Sequence, residues 1–109
     1  MGNYFVYILT NSKKAVLYIG MTNDLEQRLI EHYLKRGDTK SFAGKYYCYH
    51  LLYHERFASA TQAIEREKEL KGWNRKRKEA LINAFNTEWM FLNKEIMDWP
   101  PHPGITARS

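Results

Sequence analysis

Two short runs rich in aromatic and β-branched residues, YFVYILT at 4–10 and VLYIG at 16–20, are separated by the polar stretch NSKKA. Such residues suit a pleated strand, and a polar connection of that length suits a hairpin loop, so this stretch predicts an antiparallel β-hairpin.

The pattern then becomes helical. Thr22, Asn23 or Asp24 can serve as N-cap, Leu25, Leu29 and Tyr33 recur at helical spacing, and Gly37 stops the pattern, which predicts a helix over about 24–36. GDTKSFAGK follows as a loop or a short helical turn, and YYCYHLLYHERF predicts a third strand over about 46–56. From Ser59 or Thr61 a second helix runs to Gly72, with Ala60, Ala63, Ile64 and Leu70 on one side. RKRKEALINAF reads as a further helix with Ala80, Leu81, Ala84 and Phe85 inward, and NTEWMFLNKEIM as a last short one. The expected order is β-β-α-β-α-α within a single domain over 1–96. The segment 97–109 carries all three prolines and is expected to be a flexible tail that frays or lies along the surface.

A chain of 109 residues with 44% hydrophobic content has material for one core, and no second independent domain is expected. Its 17 Lys and Arg against 12 acidic residues give a formal charge of +5, which favours a polyanionic partner, either nucleic acid or an acidic membrane surface. No run approaches about 18 apolar residues, and Met1-Gly2-Asn3-Tyr4 has no basic start, so a cytoplasmic protein without a membrane span is expected. The lone Cys48 lies in an apolar run and reads as a small buried hydrophobe.

Several polar side chains fall where function and packing compete. Tyr7 and Tyr18 are at home on strands as core residues, yet the hairpin can bring both hydroxyls to one sheet face, where paired phenols orient water or phosphate oxygens. Arg28 and His32 are four apart on one helix face, either a solvated basic surface or a cationic pair aimed at a phosphate. Glu67 follows Ala63 by four and precedes Leu70 by three, which sets a carboxylate at the apolar stripe. It either pairs with Lys71 at i,i+4 or meets a divalent cation. KGWNRKRK at 71–78 places Lys71, Arg75, Lys76, Arg77 and Lys78 around Trp73, a composition suited to phosphate contacts and base stacking or to a solvated helix start. Lys40 and Lys45 add basic charge before the third strand. A metal site from His50, His54 and Glu55 fails on geometry, because residues four apart on a strand lie about 13 Å apart.

The succession FVY at 5–7, YIG at 18–20, Arg28, His32 and then Glu67 within IEREKELKGW resembles the GIY-YIG nuclease superfamily. It is most similar to the small single-domain bacterial type related to the N-terminal nuclease module of the excision-repair subunit UvrC, and it covers about residues 4–85. The resemblance implies an α/β (α+β) domain with a central three-stranded antiparallel sheet flanked by helices, and metal-dependent hydrolysis of a DNA phosphodiester. Under it, Tyr7 matches a general base or water-orienting group. Tyr18 matches a hydrogen-bonding partner of the nucleophile or scissile phosphate, Gly20 a point of close backbone approach, and Arg28 a charge that offsets the phosphate. His32 matches a position that is histidine in some branches and tyrosine in others, suited to proton transfer or phosphate binding. Glu67 matches the single protein ligand to Mg²⁺ or Mn²⁺, with water and substrate completing the shell. The first motif departs from the family pattern in having Phe5 and Val6 where glycine and isoleucine stand.

Three functions follow as expectations: a DNA endonuclease serving repair or processing; a non-catalytic nucleic-acid-binding module of the same fold; and an interaction subunit. The last would dock a protein partner or a second copy through Trp89, Phe91, Trp99 and the proline-containing tail.

Overall fold

The computed structural model describes residues 2–104. β1 (Tyr4–Thr10) is the central strand of a three-stranded antiparallel sheet of order β2-β1-β3, flanked by β2 (Leu17–Thr22) and β3 (His50–Phe57). Its run Val6-Tyr7-Ile8-Leu9 is no more than 1% exposed, because side chains alternate between two covered faces. Val6 and Ile8 face one apolar cluster with Ile19 and Leu52, joined by Ala63 and Leu70 of α3 (Ala60–Lys71) and Ile82 of α4 (Arg75–Phe85). Tyr7 and Leu9 face the other, with Leu25 and Leu29 of α1 (Leu25–Leu34), Ala43 of α2 (Phe42–Lys45) and Leu92, just before α5 (Asn93–Ile96). Helices therefore cover both faces of the sheet. The α+β architecture expected from the resemblance is the one found.

The hairpin loop closes through Asn11, whose side chain accepts from Ala15 N at 2.8 Å, while Thr10 Oγ1 donates to Val16 O at 2.7 Å. Asp24 caps α1 by accepting from Gln27 N at 3.0 Å. Gly37, with φ 88°, follows the end of α1 and donates its N–H to Gly44 O at 2.8 Å. Between β1 and β3 the register slips at Ile8/Leu9, so that Ile8 faces Tyr53 and Leu9 faces Leu51. The extra residue, Leu52, joins Tyr53 in the α3–α4 layer, while Leu51 faces the α1 layer.

Four expectations need correction. β3 begins at His50, not near 46, since GDTKSFAGK supplies a helical turn, α2, whose exit carries Tyr47 at φ 56° and bonds Cys48 N to Ala43 O at 2.9 Å. Ile64 is 41% exposed, because the inner stripe of α3 runs through Ala60, Ala63, Glu67 and Leu70. On α4 the inward residue is Ile82, with Leu81 half-buried. Ala80 and Ala84 each lie two residues from it, about 200° round the helix, and face solvent, while Phe85 sits at the rim against Tyr53 and His54. Finally, the expected helix over 86–97 contracts to α5. The Asn86 side chain ends α4 by donating to Leu52 O at 3.1 Å and Met90 O at 2.8 Å and accepting from Met90 N at 3.0 Å.

The C-terminal segment runs back over α1, where Trp99 meets Tyr33 and Tyr49 at ring-centroid distances of 5.3 and 6.4 Å. The remainder of the expected tail, 105–109, lies outside the described residues. Cys48 is buried as read, and burial pushes its thiol up to about 11. Among the described residues no helix is long and apolar enough to cross a membrane.

Asn93, 2% exposed, accepts from Leu51 N at 2.8 Å and donates to Tyr49 O at 2.9 Å. Asn93→Ala leaves the Leu51 N–H buried without its acceptor, and urea denaturation is expected to show a loss of about 2–3 kcal/mol. Unchanged stability would mean that the contact carries no weight.

Candidate active site

Tyr7 of β1 stands opposite Gly20 of β2 in the strand register. The ring lies across the glycine: a Cβ at position 20 would stand 2.5 Å from Tyr7 Cζ and nearer still to the hydroxyl. Only a residue without a side chain lets the phenol lie there. Tyr18, two residues before Gly20 on the same sheet face, places its ring centroid 6.4 Å from that of Tyr7.

α1 crosses this face with Leu25 and Leu29 buried against it, which sets the next positions round the helix, Arg28 and His32, over the two phenols. His32 Nε2 lies 2.8 Å from the Tyr7 hydroxyl, and its ring meets those of Tyr7 and Tyr18 edge-on at 5.8 and 5.3 Å. Arg28 remains 42% exposed and sits 3.5 Å from Glu31. Glu67 comes from the opposite layer, on α3. Its carboxylate is 22% exposed, is paired with Lys71 at 3.1 Å, and lies near enough to Tyr7 for its charge to act on that hydroxyl. Of the two readings of Glu67, the i,i+4 ion pair with Lys71 is present, formed by a carboxylate that is half-buried on the inner stripe.

The protonation states follow from burial. Desolvation, and then the Tyr18 and Glu67 oxygens, push the Tyr7 hydroxyl well above the ordinary phenol range, with Arg28 opposing, so Tyr7 is a neutral phenol at neutral pH. Desolvation, and then Arg28 and Lys35, lower His32 to about 4, so the imidazole is neutral as well. In the tautomer that leaves His32 Nε2 unprotonated, the Tyr7 O–H donates to it, and a proton can pass along that bond.

Beside these groups opens a cleft of about 160 Å³ lined by Tyr18, Arg28, His32, Lys35, Phe42 and Gly44. Glu31 lines it too; Glu31 and Lys35 were not singled out from the sequence, although they stand three residues beyond Arg28 and His32 respectively, a helical-neighbour spacing. Phe42 gave no periodic signal, because α2 is a single turn.

The expected basic residues divide. Lys40 and Lys45 flank the α2 turn on the cleft side of the sheet, with Lys45 Nζ 5.4 Å above the Tyr46 ring. Arg75, Lys76, Arg77 and Lys78 belong to α4, in the opposite layer. Arg75 is committed internally, bonded to Glu79 at 2.8 Å and to the hairpin-loop carbonyls of Ala15 and Lys14 at 2.7 and 3.0 Å. Arg77 stacks 4.0 Å over Trp73. His50 stacks on Phe91 at 4.0 Å, and Glu55 is held by Arg66 at 2.9 and 3.0 Å, so neither faces the cleft.

Among the described residues no three of His, Cys, Asp and Glu gather round a metal position. Glu67 offers one half-buried carboxylate, a donor that suits a hard ion whose shell is completed by water and substrate oxygens.

The family model for the GIY-YIG catalytic domain matches residues 3–80. The chain belongs to the GIY-YIG family. It is 35% identical to a UPF0213 protein of Bacillus pumilus over 86 residues, covering 79% of this chain and 85% of that one. A UPF0213 protein of Natronomonas pharaonis is 32% identical over 80 residues, covering 73% and 91%. The solution NMR structure of a UPF0213 protein from Bacillus halodurans matches with a TM-score of 0.52 at 26% identity, over 87% of this chain and 98% of that one. Family membership is of nuclease type, and the matched region contains Tyr7, Tyr18, Gly20, Arg28, His32 and Glu67.

The depressed pKa of His32 fixes a sign. Between about 4 and 6.5 the unfolded chain binds a proton that the folded site refuses, so stability falls as pH drops through that window. Denaturation at stepped pH is expected to show this loss, up to about 3 kcal/mol, and His32→Gln should flatten the slope. An NMR titration placing the His32 midpoint near 6.5 would contradict the buried, neutral imidazole.

Proposed function

We propose that this protein is a divalent-metal-dependent endonuclease that hydrolyses phosphodiester bonds in DNA, in repair or another processing step. The observation that carries the reading is the 2.8 Å Tyr7–His32 hydrogen bond set beside Arg28 and within electrostatic reach of Glu67. A phosphate seated in the cleft meets the Arg28 guanidinium and the Tyr18 hydroxyl, which offset charge gathering on the equatorial oxygens. A water beside Tyr7 loses its proton to the phenol oxygen as the phenol passes its own proton to His32 Nε2. The raised pKa of Tyr7 supports this coupled transfer over a standing phenolate. The imidazolium formed is favoured by the adjacent anionic phosphate.

Glu67 would hold Mg²⁺ or Mn²⁺ together with substrate oxygens, and the bound ion would supply Lewis acidity at the phosphate. Lys71, its present ion-pair partner at 3.1 Å, would give up that contact to the ion. The charge of +5 supports a polyanionic substrate.

The reading is tested with supercoiled plasmid, single-stranded, flapped and branched DNA in Mg²⁺ or Mn²⁺. Wild-type protein is expected to cut at least one of them, Tyr7→Phe to cut about 10²- to 10⁴-fold more slowly, and Glu67→Ala to lose metal-stimulated cutting while keeping its circular dichroism. Intact DNA in every reaction, or equal cutting by Glu67→Ala, would overturn it. Salt-dependent binding indifferent to Mg²⁺ and to Glu67→Ala would instead support the non-catalytic nucleic-acid-binding module.

A further inference from the structure

The cleft is walled on one side by an aromatic ring that no proposed chemical step uses. Phe42 is 52% exposed, an unusual state for a phenylalanine, and it lines the same cleft as Arg28 and His32. Two tyrosines neighbour it and leave about half of it exposed. Tyr18 lies nearly parallel to it at 24° with centroids 6.3 Å apart, and Tyr46, itself 39% exposed, packs on it at 4.9 Å. Tyr47, at 53%, extends the exposed apolar surface.

Charge surrounds these rings. Lys35 lines the cleft together with the Arg28–Glu31 pair, Lys45 Nζ stands 5.4 Å over the Tyr46 ring, and exposed Lys40 lies two residues before Phe42, so the cations outnumber the one carboxylate. Aromatic faces interleaved with ammonium groups form a surface complementary to a strand whose bases are apolar-faced and whose linkers are anionic. An apolar protein partner would not call for the lysines.

We propose that Phe42 stacks on an unpaired nucleobase next to the phosphate held at Arg28, and that the preferred substrate therefore presents single-stranded nucleic acid at this cleft. Within a duplex both faces of each base are covered by its neighbours, so a side chain can stack only on a base that is terminal, displaced or single-stranded. A cleft of about 160 Å³ has room for a phosphate and part of one nucleotide. Lys35 and Lys45 then meet the phosphates that flank the stacked base. The inference rests on the nuclease reading of the cleft and adds to it the form of the substrate.

Anisotropy with a fluorescein-labelled single strand, and with the same strand annealed to its complement, is measured without metal so that no cutting occurs. Phe42→Ala is expected to weaken single-strand binding about 5- to 100-fold, the range of a lost base–aromatic stack, and to change duplex binding by less than about twofold. Phe42→Trp should retain affinity, with its indole emission altered on adding the strand. Because position 42 is exposed, thermal melting of both variants should match wild type. Single-strand affinity unchanged in Phe42→Ala, an equal loss on both probes, or no binding by wild-type protein would overturn the proposal. So would a wild-type dimer that Phe42→Ala converts to monomer with strand affinity unaltered, which would assign the ring to self-association. Phe42-dependent strand binding by a protein that cuts nothing would instead refute the nuclease reading alone.

Discussion

The site depends on a phenol lying across a glycine. Tyr7 is on the strand that both cores are built around, and its ring occupies the volume a side chain at position 20 would need. That overlap brings the hydroxyl to the β2 side of the sheet, where α1 delivers His32 from above and α3 delivers the charge of Glu67. The chemistry is thus not appended to the fold. A residue on the central strand serves as packing and, under the proposed mechanism, as proton carrier, and burial holds both Tyr7 and His32 uncharged.

Much of this was legible in the sequence, for local reasons. Both strands of the hairpin announced themselves by aromatic and β-branched runs, while the central place of β1 emerged only with the pairing to β3. Asp24 and Ser59 capped where short polar side chains precede helical periodicity, each accepting from the N–H three residues on. Spacing put Arg28 and His32 on one helix face and Glu67 on the apolar stripe, since a helix fixes which residues share a face, and the family resemblance singled them out as site residues.

What escaped was decided by contacts distant along the chain. Asn86 and Asn93 bond backbone groups at Leu52 and Leu51, more than thirty positions away, and those bonds replace the helix that residues 86–92 suggest locally. The rotation of α4 that turns Ile82 inward is set by where the sheet lies, and apolar Ala80 and Ala84 gave the competing phase equal support. Phe42 was invisible because one helical turn is too short to carry a period.

Trp99 bears on Tyr33, the residue after His32. The helix that supplies Arg28 and His32 is therefore gripped from two sides, by the sheet through Leu25 and Leu29 and by the returning C-terminal segment through an indole wedge. The second grip lies away from the cleft and braces the helix at its rear, so the imidazole that the sheet-facing leucines aim is backed by a part of the chain that takes no part in the cleft lining.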